Sequence, residues 1–193
     1  MSVTERVANE LRRRGLAGAR VLVAVSGGID SVALLRAACA ARDGLGLQMV
    51  VGHYNHRFRG DAADADAVWV ASLAQRLGLD CEIGVADRVA ESSVASVPEE
   101  SARHERYAFL TQLALDRQCV AVLTAHTADD QVETVLHHVF RGTGLTGLHG
   151  IPTDRPLTEG VRLIRPLLDV PRSMLEQYLV DIGQDHRTDA TNA

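Results

Sequence analysis

Val21-Leu22-Val23-Ala24-Val25 runs directly into Ser26-Gly27-Gly28-Ile29-Asp30-Ser31 and then into Val32-Ala33-Leu34-Leu35. Five apolar residues, mostly β-branched, predict a strand buried on both faces. The Ser-Gly-Gly turn ends that strand, and the second apolar run opens a helix. Two adjacent glycines permit positive φ and let another group approach the backbone closely. Free N–H groups at a helix start, backed by the positive end of the helix dipole, form an anion site. Ser26 and Ser31 add hydroxyl donors, and Asp30 is suited to hold a metal or a ligand hydroxyl. The plainer reading is a strand–turn–helix joint in which Ser26 caps the helix.

The six-residue string as a whole resembles the pyrophosphate-binding loop of the ATP pyrophosphatases, which cleave ATP between the α and β phosphates. The chain contains no lysine, so all 20 of its basic residues are arginine. A Walker loop needs a lysine on the β and γ phosphates, which excludes that class. No G-x-G-x-x-G follows the strand, which argues against a dinucleotide fingerprint.

A chain of 193 residues fits one domain, with the last helix (169–183) and the tail (184–193) as an appendage. The net charge of −5 is not that of a dedicated nucleic-acid binder. Any such contact must come from local clusters, namely Arg12-Arg13-Arg14, Arg57 with Arg59, and Arg103 with Arg106. Cys39, Cys81 and Cys119 are odd in number, lack C-x-x-C spacing and lie among apolar residues. They read as buried small side chains rather than disulfides or a zinc site. The first 16 residues are too charged for a signal peptide and no run approaches a membrane span, so a cytoplasmic protein is expected.

Apolar periodicity predicts helices at 3–11, 31–41, 62–77, 96–117, 128–141 and 169–182. Strands are expected at 21–25, 47–52, 81–85, 120–124 and 161–164, and 142–156 reads as a glycine- and proline-rich loop or lid. Strands alternating with helices mean an α/β fold, a five-stranded parallel sheet with helices on both faces. Ligands sit at the carboxyl ends of such strands, here 26–31, 52–59 and 124–130, and the three stretches should converge.

Two of those strand ends carry chemistry. Gly52-His53-Tyr54-Asn55-His56-Arg57-Phe58-Arg59-Gly60 has two histidines three apart, without a third ligand at metal-site spacing. Its aromatic and arginine content suits a nucleotide or RNA backbone better, a polar surface loop being the bland alternative. After the fourth strand, Asp130, Glu133, Thr134 and His137 share one helical face, opposite a stripe of Val132, Val135, Leu136 and Val139. The acids either satisfy the helix dipole behind a Thr127 cap, which accounts best for Asp129, or orient an amine, act as base, or hold Mg²⁺. Arg106 falls mid-stripe between Ala102, Phe109 and Leu113. An inward arginine needs an anionic partner, either an internal acid or a ligand carboxylate.

Taken together, these stretches resemble the tRNA(Ile)-lysidine synthetases. The matching strings are 26–31, 52–60, Glu100-Ser101-Ala102-Arg103-His104-Glu105-Arg106-Tyr107, 125–134, 141–150 and Arg165-Pro166-Leu167-Leu168, in order over almost the entire chain. The resemblance implies a Rossmann-like adenine nucleotide α-hydrolase fold. It also implies conversion of the wobble cytidine of a CAU-anticodon isoleucine tRNA into lysidine, with ATP and free lysine as co-substrates and Mg²⁺ as helper. It implies ATP contacts at Ser26, Gly27, Gly28, Ile29, Asp30, Ser31 and His53, with Asp30 as a Mg²⁺ ligand. His56, Arg57 and Arg59 would meet RNA or nucleotide. Arg106 would hold the lysine carboxylate, while Asp130 and Glu133 position or deprotonate its amine. Phe58 departs from the family's usual leucine and Asp64 from a common serine. The family pattern continues beyond Ala193 into an arginine-containing segment and C-terminal tRNA-binding parts, so the chain reads as a shortened or a minimal enzyme. Alternatives are a tRNA thiolation ATPase with the same loop, or a module that only binds adenine nucleotides.

Overall fold

The computed structural model describes residues 1–58, 60–86, 99–142 and 149–187. Strand β1 (Arg20–Ala24) is its centre, and its side chains alternate between two apolar cores. Val21 and Val23 enter one core while Leu22 enters the other. β1 pairs in parallel with β2 (Gln48–Asn55) on one side and β4 (Ala121–Leu123) on the other. β3 (Asp80–Val85) extends the sheet beyond β2, and β6 (Val161–Ile164) extends it beyond β4, again in parallel.

One strand escapes the sequence reading. β5 (Asp154–Thr158) runs antiparallel to β6 and forms the edge, giving the order β3-β2-β1-β4-β6-β5. The sheet therefore has six strands among the described residues where five were expected. Pro156 is the reason it was missed: proline cannot donate to a ladder, and only an edge strand accommodates it. The register shifts between Pro156 and Thr158, as that exception requires.

Helices cover both faces. α1 (Val3–Arg13), opened by a Ser2–Glu5 capping box, buries Val3, Val7 and Leu11 against α2 (Ile29–Leu45). α2 outruns its expected end because Gly44 is absorbed within it, and the helix stops only at Gly46, with φ +62°. α3 (Asp61–Arg76) adds Val70 and Leu73 to the same core, and α6 (Arg172–Asp181) adds Leu175 and Leu179. Among the described residues, α4 (Glu99–Asp116) supplies the helical side of the second core, through Leu110, Leu113 and Ala114. The capping box expected at 96–99 begins outside the described residues.

α5 (Ala128–Phe140) differs from the others in burying no residue. Its apolar stripe faces outward, with Val132 58% and Leu136 and Val139 each 49% exposed. Phe140, at its end, is 84% exposed. Phe140→Ser should therefore move the thermal midpoint by no more than about 1–2 °C, because an exposed substitution costs about half a kcal/mol or less. A larger drop in a melting curve would show that this ring is packed. No helix among the described residues is long and apolar enough to cross a membrane.

Candidate active site

The carboxyl ends of β1, β2 and β4 converge on a cavity of about 270 Å³. Ser26, Asp30 and Ser31 line it from the β1–α2 turn, His56 from the end of β2, Arg106 from α4 and Asp130 from α5. The three stretches singled out in the sequence thus meet in one place.

The turn itself is held from behind. The His53 ring lies 2.8 Å through Nδ1 from the Val25 carbonyl, and a carbonyl only accepts, so Nδ1 carries the proton. Burial lowers the His53 pKa, keeping the ring neutral. Expected among the ATP contacts, His53 is placed beneath the loop as its support. Gly27 adopts φ +101°, and its carbonyl accepts the Arg187 N–H at 2.9 Å. The Arg187 stem covers Gly27, and its Nε donates to buried Asp66 of α3 at 2.6 Å. Gly28 caps α2 without a side-chain hydrogen bond, and Ile29 packs on the core. The Ser31 hydroxyl ties the turn together: it accepts from the N–H groups of Ser26 and Gly27 and donates to the Gly28 carbonyl.

Asp30 is held in an environment unfavourable to its charge. Its Oδ1 is buried without a hydrogen-bond partner among the described residues and lies 3.9 Å from Arg172 Nε. Burial pushes its pKa up; Arg172 opposes this, and nearby Asp130 and Asp129 add to it. A buried carboxylate oxygen lacking a donor, beside other acids, suits a hard cation that shares its remaining ligands with phosphate oxygens. Among the described residues no three His, Cys, Asp or Glu side chains are grouped to hold a metal by themselves.

Thr127 caps α5 as expected, and Asp130, rather than the Asp129 expected to satisfy the helix dipole, completes the capping box. Asp130 Oδ2 accepts from the Thr127 N–H at 2.6 Å and from the Thr127 hydroxyl at 2.9 Å. Asp129 instead accepts the Arg172 N–H at the start of α6. Glu133 does not line the central cavity. It is exposed and borders a separate, wider groove with Val132, Leu136 and Pro171.

Beyond β2, Arg57 stands at φ +56°, in the left-handed region, with its N–H held by Asn55 Oδ1 at 2.8 Å. Arg59 lies outside the described residues. Rings continue outward in a row: Tyr54 meets Phe109 at 5.5 Å and His56 at 4.8 Å, and His56 stacks on Phe58 at 5.3 Å.

His126 is a cavity residue within the 124–130 stretch to which the sequence analysis assigns no role. Its Nδ1 lies 3.2 Å from the Thr124 hydroxyl. Its pKa is lowered to about 4, first by burial and then by Arg165, with Arg103 and Arg106 adding to the effect against Asp130. Its place just after β4, at a ligand-bearing strand end, was the available signal.

The family model for a PP-loop domain, ATP_bind_3, matches residues 2–193. The chain belongs to the PP-loop family. A tRNA(Ile)-lysidine synthase of Dehalococcoides mccartyi is 38% identical over 98% of this chain and 42% of its own length. One from Deinococcus radiodurans is 43% identical over 91% of this chain and 28% of its own length. The PP-loop chain thus spans less than half the length of these curated relatives. The U34-tRNA thiolase NcsA of Methanococcus maripaludis superposes with a TM-score of 0.78 over 96% of this chain and 65% of its own, at 17% identity. That likeness bears on the PP-loop fold alone.

Proposed function

We propose that this PP-loop domain, residues 1–193, is the catalytic part of a tRNA(Ile)-lysidine synthetase acting in the cytoplasm. The observation that carries the proposal is the single cavity joining the loop residues Ser26, Asp30 and Ser31 to Arg106 and Asp130. Identity of 38–43% to lysidine synthases supports it.

In the first step the C2 oxygen of the wobble cytidine attacks the ATP α-phosphate. The α–β bond breaks, leaving adenylated RNA and pyrophosphate. The 26–31 turn receives the pyrophosphate through backbone N–H groups at the start of α2. Asp30 would hold Mg²⁺, which would supply neutralisation of phosphate charge. In the second step the lysine side-chain amine attacks C2, the C2–O bond to the adenylate breaks, AMP leaves, and the amine proton passes to one of the carboxylates, Asp130 or Glu133. Arg106 fixes the lysine carboxylate, and Asp130 holds the amine at the cavity wall. Glu133 joins it only from the neighbouring groove, so its role requires either substrate to span the two or α5 to shift. His56 and Arg57, with Arg59 on the sequence resemblance alone, would meet RNA or nucleotide.

A thiolation reading needs a reactive thiolate. Burial pushes the thiols of Cys39, Cys81 and Cys119 up, Cys81 to about 11, the opposite of activation.

The test is ATP–pyrophosphate exchange with CAU-anticodon isoleucine tRNA, followed by lysine transfer. Exchange should require the tRNA, and transfer should require lysine. Arg106→Ala should reduce transfer about tenfold or more, the loss expected from one charge-assisted contact, and spare exchange. Loss of exchange alone would reverse the assignment, and no pyrophosphate release at all would leave a binding module.

A further inference from the structure

Beside the cavity mouth, three guanidinium groups gather on one ring. Arg103, Arg106 and Arg155 stand 5.1, 5.6 and 5.7 Å from the centroid of Tyr107. Arg103 also reaches the Tyr107 hydroxyl at 3.5 Å. Beneath them lies Arg165, 2% exposed, which donates to the Pro152 carbonyl at 2.6 Å and interacts electrostatically with Tyr107. Its Nε is buried without a partner among the described residues.

The like charges of Arg103, Arg155 and Arg165 around one aromatic ring repel one another, and the ring quadrupole compensates only part of that repulsion. The cluster comes from three separate elements: α4, β5 and the turn after β6. It is therefore assembled by the fold rather than by a run in the sequence. It lies in a chain of net charge −5, where a polyanion finds few other places to settle. Arg106 and Tyr107 open into the cavity. Arg103 is exposed and Arg155 partly so, which leaves this outer pair to meet a ligand larger than the cavity.

We infer that Arg103 and Arg155, braced by Tyr107 over buried Arg165, form a landing site for backbone phosphates of the RNA whose target base enters the cavity. Guanidinium forks match phosphate oxygens in pairs, and such contacts fix register without reading sequence. The inference rests on the reading of the chain as an RNA-modifying enzyme. It goes beyond that reading in adding a site on α4 and β5, apart from the 52–60 loop.

The test is binding of a CAU-anticodon isoleucine tRNA transcript to the full chain across about 50–300 mM salt. Each phosphate contact contributes about 0.7–0.9 to the slope of log affinity against log salt. Arg103→Ala/Arg155→Ala should lower the slope by about 1.4–1.8, and equally for a transcript with a changed anticodon. Arg103→Lys/Arg155→Lys should restore most of it. If the double alanine variant does not fold by circular dichroism, exposed Arg103→Gln alone should lower the slope by about 0.7–0.9. An unchanged slope in a folded variant overturns the inference and leaves the proposed activity standing. Equal weakening of inorganic pyrophosphate binding would assign the cluster to the leaving group and also overturn it. Absence of RNA binding by the unaltered chain would overturn both.

Discussion

Gly27→Val is expected to reduce ATP-dependent pyrophosphate release by at least about a hundredfold while circular dichroism shows the sheet intact. Gly27 occupies φ +101°, where a β-branched residue is a steric outlier costing about 1–3 kcal/mol. An added Cβ would sit 3.4 Å from Arg187 Cγ and 3.5 Å from Val70 Cγ2, already in contact before any γ-methyl is placed. The turn must therefore move. It is held by two carbonyl anchors, Val25 to His53 and Gly27 to the Arg187 N–H, and a shift breaks the second first. Misplacing a reacting group by about 1 Å costs on the order of a hundredfold in rate. Gly28→Ala is the comparison. Gly28 has φ −70°, and the nearest atom to its added Cβ is Ser26 Oγ at 3.7 Å. Its loss should be much the smaller of the two. Equal losses in a pyrophosphate-release assay would mean that backbone crowding at Gly27 is not what shapes the loop.

The loop could be read from its sequence because its signals are local. A β-branched run, two glycines and an apolar helical stretch each act over a few residues, and they agree with one another. Convergence of the 26–31, 52–59 and 124–130 stretches followed from parallel topology alone. Arg106 was legible for a related reason: a charge on an apolar helical stripe points inward whatever the partner.

What escaped the reading depends on contacts between distant parts of the chain. Nothing near Arg187 indicates that it will cover Gly27, 160 positions earlier. The role of Arg165 at the foot of an arginine cluster depends on β5, and Pro156 concealed that strand. Periodicity also misleads on α5, where a regular apolar stripe lies open and no residue is buried. The same exposure moves Glu133 away from the cavity that Asp130 lines. Period gives the face of a helix, whereas the side that faces the core is set by where the helix docks.

Acidification should weaken the fold through His126. Its folded-state pKa of about 4 lies below the ordinary value of 6.5. The unfolded chain therefore binds the proton more readily over the interval between those values. Stability from this group is complete above about pH 6.5 and falls progressively as the pH drops toward 4. The full span corresponds to about 3.4 kcal/mol at most, from 1.36 kcal/mol per pKa unit. His53, also lowered by burial, acts in the same direction. Asp30, raised by burial, acts oppositely: protonation favours the folded state as the pH falls through its raised value. His126→Gln separates these terms, since it keeps a neutral hydrogen-bonding side chain and removes only one titration. Urea midpoints at pH 7 and pH 5 should differ less in His126→Gln than in the unaltered chain. An identical difference in both would show that the imidazole is not held neutral by its burial and by the arginines behind it. The cavity would then be more open to water than its lining implies, and Arg165 would be better screened. The same measurement therefore bears on the phosphate site: screening that frees His126 to protonate would equally reduce the pull of the arginine cluster on RNA.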